Sequence, residues 1–254
     1  MEDLKLLIGE DKMGEIVKQQ KAACFGAGTN SVAMLIGLHE RGERPDVILF
    51  ADTGGEKPET YWIRDAVSDW CEKVGFPRVV TVKAPNKLLE QDCIDRNALP
   101  SIAYGFKTCS LRWKKEPQDK YLRNNGMTNA VRLIGIDAGE VHRAKEYSGT
   151  RYPLVEWDWG RDECVDAIRR AGLPQPGKSA CFFCPNSRPN EILELKRNHP
   201  DLLKRALKIE AGAKLTTIKG LGRSWSWVEL IKYDDAQLDM FRGNVEMPCE
   251  CLDG

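Results

Sequence analysis

The residues best suited to binding a metal form the run Cys181-Phe182-Phe183-Cys184, which is followed by Pro185. A Cys-x-x-Cys turn presents two thiolates to one metal centre, and thiolates ligate both zinc and iron–sulfur clusters. A redox dithiol of the thioredoxin type belongs near a βαβ unit, whereas this pair lies late in the chain. The spacing therefore predicts a metal site and leaves zinc and an iron–sulfur cluster as alternatives.

The chain contains nine cysteines in 254 residues. Disulfides are rare in a reducing cytoplasm, so clustered cysteines there indicate metal binding or catalysis. We predict that Cys24, Cys71 and Cys164 are core residues, because they lie in strand or helix patterns and free cysteine packs as a small apolar side chain. The cysteines left as candidates for chemistry are Cys93, Cys109, Cys181, Cys184, Cys249 and Cys251.

A second candidate is the glycine-containing loop at residues 26–31, Gly-Ala-Gly-Thr-Asn-Ser, which follows a predicted strand and opens a predicted helix. Small residues let backbone N–H groups approach a phosphate, and a helix N-terminus carries roughly half a positive charge. The loop lacks Gly-Lys-Ser/Thr and is not a Walker A motif. By itself it fits either a phosphate site or an ordinary tight turn.

Strand and helix patterns alternate along most of the chain and determine where these loops lie. Strands are predicted at 21–25, 46–51, 79–82 and 130–136, and helices at 31–38, 59–74 and 112–124. The alternation predicts an α/β fold, with a parallel twisted sheet and helices on both faces. Ligands of such sheets bind at the carboxyl ends of the strands, so the loops of interest are 26–31, 52–59 and 137–143.

After residue 173 the pattern changes to a proline-containing loop and then to helices at 190–198 and 200–212. We therefore predict an α/β domain at residues 1–173. Residues 174–254 are predicted to form a C-terminal, cysteine-containing helical appendage packed on the same core.

The overall charge gives no reason to expect a polyanionic partner, since Lys plus Arg and Asp plus Glu number 38 each. The apolar stretch 47–51 is far shorter than the ~20 residues that a membrane span needs, and the acidic N-terminus lacks a signal-peptide pattern. We expect a cytoplasmic protein with no membrane partner. Residues 107–123 are locally basic, which fits either solvated surface or phosphate capture.

The loop after the second predicted strand carries the most specific pattern. Residues 52–60 read Asp-Thr-Gly-Gly-Glu-Lys-Pro-Glu-Thr. This resembles the Asp-Thr-Gly-x-x-x-Pro-Glu-Thr stretch of the phosphoadenosine-phosphosulfate (PAPS) reductase family, which belongs with ATP pyrophosphatases to the adenine-nucleotide α-hydrolase superfamily. The resemblance covers about residues 20–190 and implies a Rossmann-like α/β fold.

Three further segments carry the resemblance. Residues 26–31 are similar to the pyrophosphate-binding Ser-Gly-Gly-x-Asp-Ser loop, with Gly28 and Ser31 matching and Asn30 in place of Asp. Residues 133–143 resemble the Gly-Ile-Arg-x-x-Glu-Ser-x-x-Arg loop, with Asp137 where Arg is usual. Residues 107–117 are similar to the segment whose cysteine and basic residues face the substrate.

The resemblance implies that ATP, or PAPS or adenosine phosphosulfate (APS), binds with its phosphates over the first loop. The implied nucleotide contacts are Phe25, Gly26, Ala27, Gly28, Asn30, Ser31, Phe50, Asp52, Thr53, Arg112, Lys114 and Gly135. The implied catalytic groups are Asp52 or Glu56 holding Mg²⁺, Glu140 and Arg143 at the mouth of the site, and Cys251.

The resemblance also favours a 4Fe–4S cluster over zinc. APS reductases and DNA phosphorothioation enzymes hold such a cluster with Cys-x-x-Cys plus upstream cysteines, which implies Cys109, Cys181 and Cys184 as ligands here. The fourth ligand is then Cys249 or Cys251, with Cys93 as a further alternative.

Two reactions compete, and we favour the first. In ATP-dependent activation, a substrate oxygen attacks the α-phosphate, pyrophosphate leaves, and sulfur then replaces the adenylate. In sulfonucleotide reduction, a C-terminal thiolate attacks the sulfonate sulfur, and Glu250-Cys251 matches part of that family's Glu-Cys-Gly-x-His tail. A nucleotide-binding regulatory module without turnover is the third alternative. The acceptor, a nucleic acid or a small molecule, and the sulfur or electron donor are left open.

Overall fold

The computed structural model describes residues 19–145 and 147–243. Its centre is a five-stranded sheet in the order β3-β2-β1-β4-β5, and every neighbouring pair of strands is parallel. The strands are β1 (Lys21–Phe25), β2 (Val47–Asp52), β3 (Val79–Lys83), β4 (Val131–Ile134) and β5 (Thr150–Arg151). All six residues of β2 are buried, as expected for a central strand of a parallel sheet.

Ten α-helices connect and cover the strands in the described part of the chain. They are α1 (Thr29–Glu40), α2 (Pro58–Lys73), α3 (Leu89–Asp95), α4 (Thr108–Ser110), α5 (Glu116–Asn124), α6 (Pro153–Glu156), α7 (Arg161–Arg170), α8 (Pro189–Asn198), α9 (Pro200–Gly212) and α10 (Trp227–Gly243). A π-helical turn at Leu111–Lys115 joins α4 to α5, and 3₁₀ turns lie at Ser101–Tyr104 and Ala138–Arg143.

Helices cover both faces of the sheet, which confirms the predicted fold class. On one face, Phe25 and Ile48 pack with α1, α2 and α7. On the other face, Ala22 and Leu49 pack with Leu122 of α5. Adjacent residues of a strand thus contribute to opposite cores, because side chains alternate across a strand.

The C-terminal helices form a third apolar cluster. Residues of α8, α9 and the start of α10 pack there against the segment 89–113, which lies between β3 and β4. Ile192, Trp227 and Leu99 are each completely buried in this cluster. The domain boundary between residues 173 and 174 stays a prediction.

The order of the strands places a topological switch between β1 and β4, because the chain continues from β1 toward β2 on one side and returns to β4 on the other. Ligands of open α/β sheets bind at such a switch, beyond the carboxyl ends of the strands. No helix within residues 19–145 and 147–243 combines the length and the apolar character that crossing a membrane requires.

Candidate functional site

The loop after β1 is shaped by the hydroxyl of Ser31. Its Oγ accepts hydrogen bonds from the backbone N–H groups of Gly26 and Gly28, both at 3.2 Å, and donates to the Gly28 carbonyl at 3.0 Å. Ala27, between the two glycines, has a left-handed backbone with φ 55°. Gly28 is the N-cap of α1 and its N–H is taken by Ser31 Oγ, whereas the described residues provide no side-chain acceptor for the amides that follow it. The first amides of α1 therefore remain available to a ligand oxygen.

The end of β4 packs directly on this loop. A Cβ at Gly135 would lie 2.8 Å from the Asn30 carbonyl oxygen, so the close approach requires glycine. The Asn30 side chain donates from Nδ2 to Asp137 Oδ2 at 2.9 Å, while Asp137 Oδ1 accepts the Glu140 backbone N–H at 3.0 Å. Asn30 Oδ1 is buried and has no partner among the described residues. Two of the positions at which the chain departs from the pattern it resembles, Asn30 and Asp137, are thus bonded to each other.

Asp52, at the end of β2, is an anchored carboxylate. Oδ1 accepts the Gly54 N–H and the Tyr61 hydroxyl, both at 2.8 Å, and Oδ2 lies 3.0 Å from Lys83 Nζ. Burial alone would raise the pKa of Asp52, but these three donors outweigh it and hold the pKa below its usual value. Oδ1 already accepts two hydrogen bonds, so Mg²⁺ would bind Asp52 through Oδ2, next to Lys83.

A buried polar group follows Asp52. Thr53 Oγ1 donates to Glu56 Oε1 at 3.0 Å and lies 3.1 Å from Cys181 Sγ. Burial raises the pKa of Glu56, although the charge of Lys114 opposes the shift. Burial would lower the pKa of Lys114. The negative charge of Glu56, and then that of the nearby cysteines, stabilises the ammonium group and raises this pKa. The charges of Glu56, Lys114 and Cys181 therefore affect one another's pKa values.

Residues 176–184, which we call the cysteine strap, cross both strand-end loops. Thr29 of the first loop donates from Oγ1 to the Pro176 carbonyl at 3.3 Å. At the second loop, the Phe182 N–H donates to the Gly55 carbonyl at 2.7 Å. The strap is thus fastened to the predicted phosphate loop at one end and to the Asp-Thr-Gly loop at the other.

The thiols of Cys109, Cys181 and Cys184 lie around Lys114, since each contributes to the shift of its pKa. The Cys184 N–H donates to the Cys181 carbonyl at 3.0 Å, which closes the turn that carries both sulfurs. Burial raises the pKa of both thiols, while the hydrogen bond from the Asn186 backbone to Cys184 and the contact of Thr53 Oγ1 with Cys181 oppose the shift.

These three thiols, with the backbone donor to Cys184, fit a centre ligated by thiolates, because donors to sulfur are typical of such sites. In the described part of the chain, no three His, Cys, Asp or Glu side chains are grouped closely enough to hold a single metal ion. A 4Fe–4S cluster binds each cysteine through a different iron and therefore takes thiols that are further apart.

The other predicted residues lie in different settings. Phe25 and Phe50 are 2% exposed and pack in the core beside the site. Glu140 and Arg143 pair with each other at 2.5 Å on the exposed turn after β4. The Arg112 guanidinium lies over the ring of Trp113, 5.1 Å from its centre. The predictions for Cys249 and Cys251 fall outside the described residues.

Sequence reasoning missed four polar residues beside the loops. They are Asp137, Tyr61, Lys83 and Ser179. The position of Asp137, directly after a strand, was a usable signal. Tyr61 belongs to the apolar face of a predicted helix, so the pattern indicated a core residue. Lys83 and Ser179 have no sequence signal, because their roles depend on which loop each side chain contacts in the fold.

No protein-family model matches the chain, and no curated protein matches it. The chain is similar to a solved phosphoadenylyl-sulfate (PAPS) reductase from Candida auris in complex with phosphate. The identity is 19%, the match covers 62% of this chain and 74% of that one, and the TM-score is 0.43. It is also similar to the U34-tRNA thiolase NcsA from Methanococcus maripaludis with its [4Fe-4S] cluster, at 18% identity, coverage of 84% and 79%, and a TM-score of 0.45. We base no conclusion about activity on similarity of this extent.

Proposed function

We propose that the chain is an adenine-nucleotide-dependent enzyme of the PAPS reductase family that activates a substrate with ATP, releases pyrophosphate and transfers sulfur. The cysteine strap supports this most strongly, because it contacts both the loop predicted to bind phosphates and the Asp-Thr-Gly loop. Thiols and nucleotide loops thus belong to one site rather than to two.

The chain's own residues would bind and orient the nucleotide. The first turn of α1, whose amides have no side-chain acceptor among the described residues, favours the negative charge of the β- and γ-phosphates, and Ser31 fixes the conformation of the loop before it. Lys114, which is half-buried, supplies a positive charge beside the thiols. Such a site accelerates adenylation by positioning and by electrostatic stabilisation of the transferring phosphoryl group.

Cys109, Cys181 and Cys184 would hold the iron–sulfur cluster. When bound, the cluster would supply an iron position that carries sulfur to the activated substrate. The donor of that sulfur and the acceptor, a nucleic acid or a small molecule, are the partners that the proposal requires.

The first test is pyrophosphate release from ATP by anaerobically purified protein, with Gly28→Val and Gly26→Ala as a matched pair. A side chain at Gly28 would block backbone approach to a phosphate, and its Cβ would lie 3.0 Å from Ser179 Oγ. A Cβ at Gly26 meets only an ordinary contact at 3.6 Å. We expect Gly28→Val to abolish ATP binding in calorimetry and pyrophosphate release, and Gly26→Ala to retain binding.

Unchanged ATP affinity in Gly28→Val contradicts the phosphate assignment. Turnover of PAPS or APS without pyrophosphate release from ATP would favour the reductase, and binding without turnover of either nucleotide would favour a regulatory module.

The second test measures iron and acid-labile sulfide after anaerobic reconstitution. We expect Cys181→Ala and Cys184→Ala to lose the cluster, because each removes a thiolate ligand. Cys71→Ala is the control, since Cys71 is buried in the core between α2 and the sheet. Full cluster content in either strap variant contradicts the proposal, and stoichiometric zinc without sulfide would replace it with a structural metal. Full cluster content in both Cys249→Ala and Cys251→Ala would mean that neither cysteine is a required ligand, which would favour a nucleophilic role for the tail.

A further inference from the structure

The hydroxyl of Ser179 lies over the loop that follows β1. Its Oγ is 3.0 Å from the place where a Cβ of Gly28 would be, and 3.6 Å from the corresponding place at Gly26. The hydroxyl therefore occupies the space that the two glycines leave open. It belongs to the cysteine strap, which contacts the same loop through Pro176.

Ser179 has a half-buried hydroxyl with no hydrogen bond to the described residues, whereas other side chains of the strap are bonded. The side-chain hydrogen bonds of the strap are made by Lys178 and Cys181, and the Ser179 hydroxyl makes none to the described residues. Lys178 is directed elsewhere, because its Nζ binds the Asn186 carbonyl at 3.0 Å and Glu191 at 2.7 Å. Ser179 is thus the side chain through which the strap can donate to a ligand at the loop.

The backbone around Ser179 is held from both sides. Pro176, three residues before it, accepts the Thr29 hydroxyl. Phe182, three residues after it, donates to Gly55. A serine held in this way loses little conformational freedom when it binds a ligand, which favours a positioning role.

We propose that Ser179 is a positioning residue that donates a hydrogen bond to the pyrophosphate moiety of the bound nucleotide. The inference rests on the proposed function, because it takes the loop after β1 as the phosphate site. The first amides of α1 bind the phosphates on one side, and Ser179 binds them from the strap. Cys181 lies two residues further along the strap, so the same segment positions both the phosphates and a thiol.

The test compares the affinities of wild type and Ser179→Ala for ATP, inorganic pyrophosphate and AMP, using calorimetry on the anaerobically purified holoprotein. A hydrogen bond to a charged group contributes enough that its loss should weaken ATP and pyrophosphate binding about tenfold. AMP lacks the pyrophosphate and should bind both proteins equally. Ser224→Ala, at an exposed serine before α10, is the matched control and should change none of the three affinities.

Unchanged ATP and pyrophosphate affinities in Ser179→Ala would overturn the assignment while the proposed function stands. Equal weakening of all three ligands would also overturn it, because that pattern indicates a general effect on the site. If wild type binds neither ATP nor pyrophosphate, the proposed function fails and the assignment of Ser179 fails with it.

Discussion

At the scale of single residues, the pair Asn30–Asp137 explains how the site tolerates its departures from the family pattern. The resembled family has an acid at the first position and a base at the second, whereas here an amide donates to a carboxylate at 2.9 Å. Asp137 is buried, at 6% exposure, and also accepts the Glu140 N–H. A buried carboxylate therefore lies at the end of β4, beside the loop, and the loop itself has an amide at position 30.

We predict that Asn30→Asp destabilises the protein by roughly 1–3 kcal/mol, because it removes the donor to a buried carboxylate and places a second carboxylate against it. Adding Asp137→Asn should restore most of this loss. The new amide at position 137 would donate through Nδ2 to the new carboxylate at position 30, and it would accept the Glu140 N–H through Oδ1. Urea denaturation at neutral pH measures both changes. A double variant whose loss equals the sum of the two single losses would show that the pair is not coupled.

At the scale of elements, the strands were predictable and the contacts between loops were not. The four predicted strands exist, because continuous apolar runs identify central parallel strands. The strand Thr150–Arg151 was missed, since two residues carry no periodicity. The helix predicted at 112–124 begins at Thr108 and contains the π-helical turn Leu111–Lys115. That turn is invisible to a pattern based on 3.6 residues, and π-helical turns are frequent at functional sites.

The candidate site also has one part that could be predicted from the sequence and one part that could not. Parallel strands bring their carboxyl ends to one edge, so the meeting of loops 26–31, 52–59 and 137–143 follows from the predicted fold. That the cysteine strap crosses two of these loops does not follow from local patterns. Its placement depends on long-range bonds, such as those from Thr29 to Pro176 and from Phe182 to Gly55.

At the scale of the whole molecule, the C-terminal helices and the segment 89–113 share one apolar cluster. Polar contacts join the same two parts: Arg205 of α9 donates to Glu90 of α3 at 2.9 Å, and the Lys214 N–H donates to the Asn97 carbonyl at 2.8 Å. A helical region packed on the same core was predicted from the sequence, but the segment 89–113 that it contacts was not, because periodicity identifies an apolar face without identifying what covers it. This cluster also contains Cys109 and Cys181, so its stability bears on the site.

We predict that residues 89–113 and the helices α8 and α9 open together as one unit. Ile192→Val, at a completely buried position of α8, should cost roughly 0.5–1.5 kcal/mol and leave the protein folded. Hydrogen exchange should then accelerate in α8, α9 and residues 89–113, while α1 and α7 keep their wild-type rates, because local opening follows cooperative packing units. Ile36→Val in α1 is the matched control and should accelerate exchange in α1 and α7 instead. Acceleration confined to residues after 173 in Ile192→Val would mean that the C-terminal helices are an independent appendage.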